Sequence, residues 1–170
     1  DTAILIKDEA RNDSFAVASS IADLAKETSP DVVIFGRQSI DFDSFVLPSM
    51  VAELLGWPNV SMASTLTIDG GTVTAERDVE GGKENVNASL PCVISAQKGL
   101  NDPRYPKLPD IMKAKSKPIA ERAPSAAGVR VETLGMTLPE TKRLNRILGD
   151  TDADIEQLVR DLDDRMLLDT

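Results

Sequence analysis

The sequence predicts an α/β fold, a doubly wound mostly parallel sheet with an inserted antiparallel hairpin, a C-terminal arm and a helix. Three observations predict it. Residues 3–55 alternate short apolar runs with amphipathic stretches, the rhythm of β-α-β-α units. Residues 60–88 change character and read as three strands, separated by the turn signals Asp69-Gly70-Gly71 and Glu80-Gly81-Gly82. The parallel sheet then resumes in the apolar run from Pro91 to Ala96.

Ala3 to Ile6 is a short apolar strand. Asn12 or Asp13 can cap a helix running to about Thr28, with Phe15, Ala18, Ile21, Ala22, Leu24 and Ala25 on one face. Pro30 ends that region, and Asp31 to Gly36 reads as a strand buried on both faces. After a polar loop, a helix runs from Phe45 or Pro48 to Leu55, closed by Gly56 and Pro58. Val60–Ile68, Thr72–Val79 and Lys83–Ala88 form the antiparallel insertion. Beyond Lys115 the chain is rich in Pro, Lys and Ala and reads as an extended, weakly packed arm. Val129 to Thr133 is a candidate edge strand. From Asp152 to Leu168, Ile155, Leu158, Val159, Leu162 and Met166 make one apolar helical stripe. The chain thus divides into an α/β body, 1–120, and a C-terminal arm and helix, 121–170.

Composition narrows the chemistry. The formal net charge is −9 and there is no histidine, which removes the usual general base and the commonest metal ligand. Cys92, the single cysteine, excludes an internal disulfide, and its apolar neighbours mark it as a core residue. No run approaches the roughly 20 apolar residues that span a bilayer. Residue 1 is Asp and a strand already begins at Ala3, so we expect the sequence to start inside a larger protein, and one in a reducing compartment.

Acidity argues against nucleic acid. Charge is uneven, however: residues 101–122 hold six basic side chains against three acidic ones. A local basic patch on an acidic body suits steering of a protein partner.

Two stretches could carry a site. Gly36-Arg37-Gln38-Ser39-Ile40-Asp41-Phe42-Asp43-Ser44 follows a parallel strand and feeds a helix N-terminus, where open α/β sheets bind ligands. A ligand site and an ordinary connecting loop both fit. In Arg104-Tyr105-Pro106-Lys107-Leu108-Pro109-Asp110-Ile111-Met112, Leu108 and Met112 are four apart, with Ile111 beside them. Prolines at 103, 106 and 109 stiffen the approach. Ringed by Arg104, Lys107 and Lys113, this is either a docking knob or a turn packed on the sheet.

These motifs resemble the beta subunits of electron transfer flavoproteins. The resemblance rests on Arg77-Asp78-Val79-Glu80-Gly81-Gly82-Lys83-Glu84 ahead of a central strand, and on Pro103-Arg104-Tyr105 with Leu108-Pro109-Asp110-Ile111-Met112-Lys113-Ala114-Lys115 after it. It covers residues 31 to roughly 120 without a gap; the family's first strand and following units are absent.

It implies an adenine-nucleotide-binding, Rossmann-like body and a heterodimer whose alpha subunit holds most of the FAD. Electrons would pass from acyl-CoA-type flavin dehydrogenases to a membrane quinone oxidoreductase. The setting would be bacterial cytoplasm or the mitochondrial matrix. Arg104, Tyr105, Leu108, Pro109, Ile111 and Met112 would dock the dehydrogenase, with Leu108 as anchor. Asp78 would help position the flavin domain, and the stripe on the last helix would pack on the alpha subunit or on its own sheet.

Residues 36–44 would hold AMP or, in electron-bifurcating relatives, a second FAD. Here the chain departs from the family, which continues with polar residues and a glycine. Phe45-Val46-Leu47-Pro48 removes those side chains and one backbone donor, against AMP and further against a second flavin. Two rival readings stand beside this one: an adenine-nucleotide-binding or -hydrolysing α/β protein, and an interaction module without nucleotide, its pocket filled by Phe45 and Leu47.

Overall fold

Eleven elements follow one another among the residues that the computed structural model describes (2–8, 13–140 and 147–164): β1 (Ala3–Ile6), α1 (Ser14–Thr28), β2 (Val32–Gly36), α2 (Val46–Leu55), β3 (Asn59–Asp69), β4 (Thr72–Val79), β5 (Gly82–Ser89), β6 (Cys92–Ala96), α3 (Leu108–Lys115), β7 (Ile119–Arg122) and α4 (Asp152–Asp163). They fall into two compact units, Asp1–Leu134 and Gly135–Thr170.

The larger unit is α/β with a mixed sheet ordered β2-β6-β3-β4-β5. β2, β6 and β3 run parallel, and β3-β4-β5 form an antiparallel meander. The Gly-Gly signals make the turns. Asp69 pairs with Thr72 across Gly70 and Gly71, at φ 53° and 85°, the two left-handed positions of a tight hairpin.

β6 separates two apolar clusters, because successive strand side chains point to opposite faces. Cys92 and Ile94, both fully buried, join Val60, Val73, Ala75 and Ala88, a cluster built from strands and the Leu90 turn alone. Burial pushes the Cys92 thiol up, as befits a core residue. Val93 faces the other way and packs with Ala18 of α1 and Val51 and Ala52 of α2, flanked by Val33 and Phe35. Both long helices of this unit therefore lie on one face of the sheet.

α1 begins where Asp13 accepts from the Phe15 N–H at 2.9 Å, and ends at left-handed Ser29, whose N–H reaches Ala25 O at 2.8 Å. α2 ends at Gly56, φ 68°.

The segment after Lys115 differs from the expected loose arm. Ile119–Arg122 forms β7, which pairs in parallel with β1 as a separate two-stranded sheet. Ser125 then donates its N–H to Ser20 Oγ at 2.9 Å and its hydroxyl to Asp23 at 2.6 Å, on α1. No strand forms at 129–133. The Arg130 N–H donates instead to Asp13, and its guanidinium lies 3.8 Å from the Phe15 ring centroid. Backbone donors that a sheet edge would need are spent on the start of α1.

In the smaller unit, α4 opens with a reciprocal capping box between Thr151 and Asp154. The Thr151 hydroxyl holds the Asp154 carboxyl below its ordinary range. Ile155, Leu158 and Val159 are about half exposed. The expected continuation to Leu168, with Met166, lies outside the described residues.

Candidate functional site

Gly36 closes β2 at the carboxyl end of the parallel strands, opposite Ala96 of β6. A Cβ there would meet no protein atom within 4 Å, and its φ is not left-handed, so the fold itself does not demand glycine. The loop that follows folds on itself. Ser39 N–H donates to Ser44 O at 3.1 Å, and Ser44 N–H returns to Ser39 Oγ at 3.4 Å. Gln38 donates its side-chain amide to Asp43, which takes the left-handed conformation at φ 52°. Ile40 is fully exposed.

This loop and the first turn of α2 border two cavities. The first, about 430 Å³, is lined by Ser39, Asp41, Phe42, Ser44 and Leu47, with Ser14 and Val17 of α1. Asp41 is held ionised below the usual carboxylate range, chiefly by the Ser39 hydroxyl and then by the Phe42 N–H. Its occupant therefore meets a carboxylate, hydroxyls, an aromatic ring and no cationic side chain. That donor set suits the hydroxyls and base of a nucleoside and opposes a phosphate.

Arg37 turns to the second cavity, about 450 Å³, and stacks over Phe45 at 5.7 Å. Phe45 is the N-cap of α2 and supplies no side-chain cap, so the first-turn N–H groups keep their donors, save at Pro48. Leu47 lines the first cavity and Phe45 the second. Of the predicted loop residues, Gly36, Gln38, Ile40 and Asp43 line neither.

Sequence reasoning missed Ser49, Ser61, Met62 and Ser95, which line the second cavity. One signal was present. Ser95 is a polar residue near the end of an otherwise apolar strand, and its register partner Phe35 immediately precedes Gly36.

The docking stretch stands apart, and none of its residues lines either cavity. Lys107 is the N-cap of α3; Asp110 in its first turn and Lys113 and Lys115 in its last complement the helix dipole. No residue of α3 is buried. Leu108 is 71% exposed, Met112 59%, Ile111 38% and Tyr105 96%. Packing of this turn on the sheet, the alternative that pattern allowed, is not what the structure adopts. Arg104 and Pro109 are exposed beside them.

On the β4–β5 hairpin the register explains the spacing of the charged motif. Arg77 lies opposite Glu84 and Asp78 opposite Lys83, with Gly81 at φ 85° in the turn. Arg77 Nε meets Glu84 Oε2 at 2.6 Å, and its Nη1 donates to Ser61 Oγ at 2.9 Å. Asp78 is exposed next to that anchored arginine.

Residues 1–127 match the electron transfer flavoprotein domain family. The chain is similar to a protein named electron transfer flavoprotein subunit beta from Bradyrhizobium diazoefficiens, 38% identical over 162 residues, which are 95% of this chain and 65% of that protein. A protein of the same name from Syntrophomonas wolfei is 39% identical over 84% of this chain and 56% of its own. A mitochondrial electron transfer flavoprotein subunit beta from Oryza sativa subsp. indica is 39% identical over 84% and 58%. The chain thus spans between about half and two thirds of these relatives' lengths. With the match covering both the loop after β2 and the segment around α3, the chain belongs to the electron transfer flavoprotein domain family.

Proposed function

We propose that the chain serves as the beta subunit of a heterodimeric electron transfer flavoprotein, in which the alpha subunit holds most of the FAD and this subunit braces it. Electrons arrive from acyl-CoA or related flavin dehydrogenases and leave to a membrane quinone oxidoreductase, in bacterial cytoplasm or the mitochondrial matrix. The bound flavin supplies the redox chemistry; this chain binds and orients, and none of its side chains is catalytic. No helix among the described residues is long and apolar enough to cross a membrane.

One observation carries the reading. Within the family match, α3 and its proline-stiffened approach present Leu108, Ile111 and Met112 with nothing of α3 buried, beside Arg104, Lys107 and Lys113. An apolar knob in a basic ring suits a transient partner: the charges speed encounter, and the knob holds once desolvated. Asp78, beside the Arg77–Glu84 pair, contributes an acidic contact for the flavin domain. In the first cavity, Ser39, Ser44, Asp41 and Phe42 suit the nucleoside part of AMP or of a second FAD; the phosphate has no cationic partner there.

The test is Leu108→Ala in the full heterodimer. Because the side chain is already exposed, stability should stay within about 0.5 kcal/mol of wild type. Reduction of the bound flavin by its dehydrogenase should fall at least about tenfold, as for loss of a binding anchor. Unchanged reduction kinetics would remove α3 from the docking surface.

A further inference from the structure

The second cavity has a property that the first lacks: its polar side chains are arranged to donate. Ser49 Oγ accepts from Asn59 Nδ2 at 2.9 Å, Ser61 Oγ from Arg77 Nη1 at 2.9 Å, and Ser95 Oγ from the Met62 N–H at 2.8 Å. Each hydroxyl oxygen already accepts one hydrogen bond. Among the described residues none of the three gives its own proton to a protein acceptor, so each O–H remains to be donated. Ser95 is only 2% exposed, so water is a poor substitute for that missing acceptor.

Arg37 adds a permanent positive charge. Its guanidinium lies over Phe45 at 5.7 Å, and no carboxylate pairs with it among the described residues. None of the lining residues is acidic.

The backbone here is also strained in a way that serves the cavity. β3 breaks register between Val60 and Ala63, and Met62 takes φ 56°, an uncommon conformation for that residue. That kink brings the Met62 N–H onto Ser95 and leaves both Ser61 and Met62 lining the cavity. Backbone strain of this kind, held here by a part-buried hydrogen bond, clusters at binding sites.

We propose that this cavity binds a phosphate group carried on an apolar or aromatic body. Arg37, Ser49, Ser61 and Ser95 take the oxyanion, while Phe45, Pro48 and Met62 wall the body. Four donor groups match the three oxygens of a phosphate better than the two of a carboxylate. The cavity lies within the size range of small-molecule sites. The site stands independently of the electron-carrier reading, because binding is read without electron transfer.

Calorimetric titration of the full protein with inorganic phosphate and with phenyl phosphate tests it. Both should bind saturably and in competition, phenyl phosphate the more tightly if the wall is used; equal affinity would mark the free ion as occupant of the same site. Arg37→Gln should weaken binding at least about tenfold, the range for a hydrogen bond to a charged group. Ser61→Ala should weaken it severalfold, both variants keeping the wild-type melting temperature. Thr74→Ala, on β4 and lining neither cavity, should leave binding unchanged. The proposal is overturned by no saturable binding to the wild type or by undiminished binding in a folded Arg37→Gln protein.

Discussion

Asp13 shows how much one side chain can organise. One carboxylate oxygen accepts from Phe15 N–H and starts α1, while the other accepts from Arg130 N–H, 117 residues later. The Arg130 N–H does most to hold this carboxyl below its ordinary range, helped by Phe15, against the opposing effect of burial. A depressed folded-state value means that Asp13 stabilises the protein above the ordinary carboxylate range, near pH 4. That contribution fades as pH falls through the lowered value. Asp13→Asn should therefore lower the urea midpoint at pH 7, and its deficit against wild type should shrink on acidification below about pH 4. A deficit independent of pH would show that the charge plays no part. The capping half of this role is legible in the sequence, since Asp before an apolar-periodic stretch is a helix start. The clamp on Arg130 is not, because no local pattern encodes a contact across 117 residues. The same holds for Ser49, Ser61 and Ser95: each is an ordinary serine until its donor partner is known.

At the scale of elements, glycines separate positions where the fold demands glycine from positions where it does not. Gly56 ends α2 at φ 68°, with space around a would-be Cβ, so Gly56→Ala meets backbone strain alone. It should cost about 1 kcal/mol in chemical denaturation. Gly36 has ordinary φ and the same free space, so Gly36→Ala should leave stability within about 0.5 kcal/mol. A large loss at Gly36 would mean that the loop, not a ligand, requires the glycine. Local chemistry made most elements readable: the Gly-Gly turns, the apolar β6 and the helix ending at Gly56 all follow from the sequence. β7 escaped because Ile119-Ala120-Glu121-Arg122 is short and half charged, and its exposed face carries no apolar alternation. Its pairing with β1 is supported by the ion pair from Lys7 to Glu121 at 2.7 Å, which no propensity reveals.

On the scale of the whole molecule, alternation of strands and helices establishes an α/β protein, and the turn signals place the antiparallel meander within it. Which face a helix covers depends on long-range packing, and so the placing of α1 and α2 together against Val93 had no local signature. The docking stretch shows the reverse situation. Apolar residues at helical spacing usually mean core, yet here the surrounding prolines and lysines, more than the spacing, signal exposure.

The most direct test is to co-express the full protein with the alpha subunit of an electron transfer flavoprotein from the same source, purify through a tag on this chain, and record the visible spectrum. A stable yellow complex with about one flavin per heterodimer is expected, the ratio that follows when the alpha subunit holds the FAD. A colourless chain that retains no alpha subunit would contradict the electron-carrier reading.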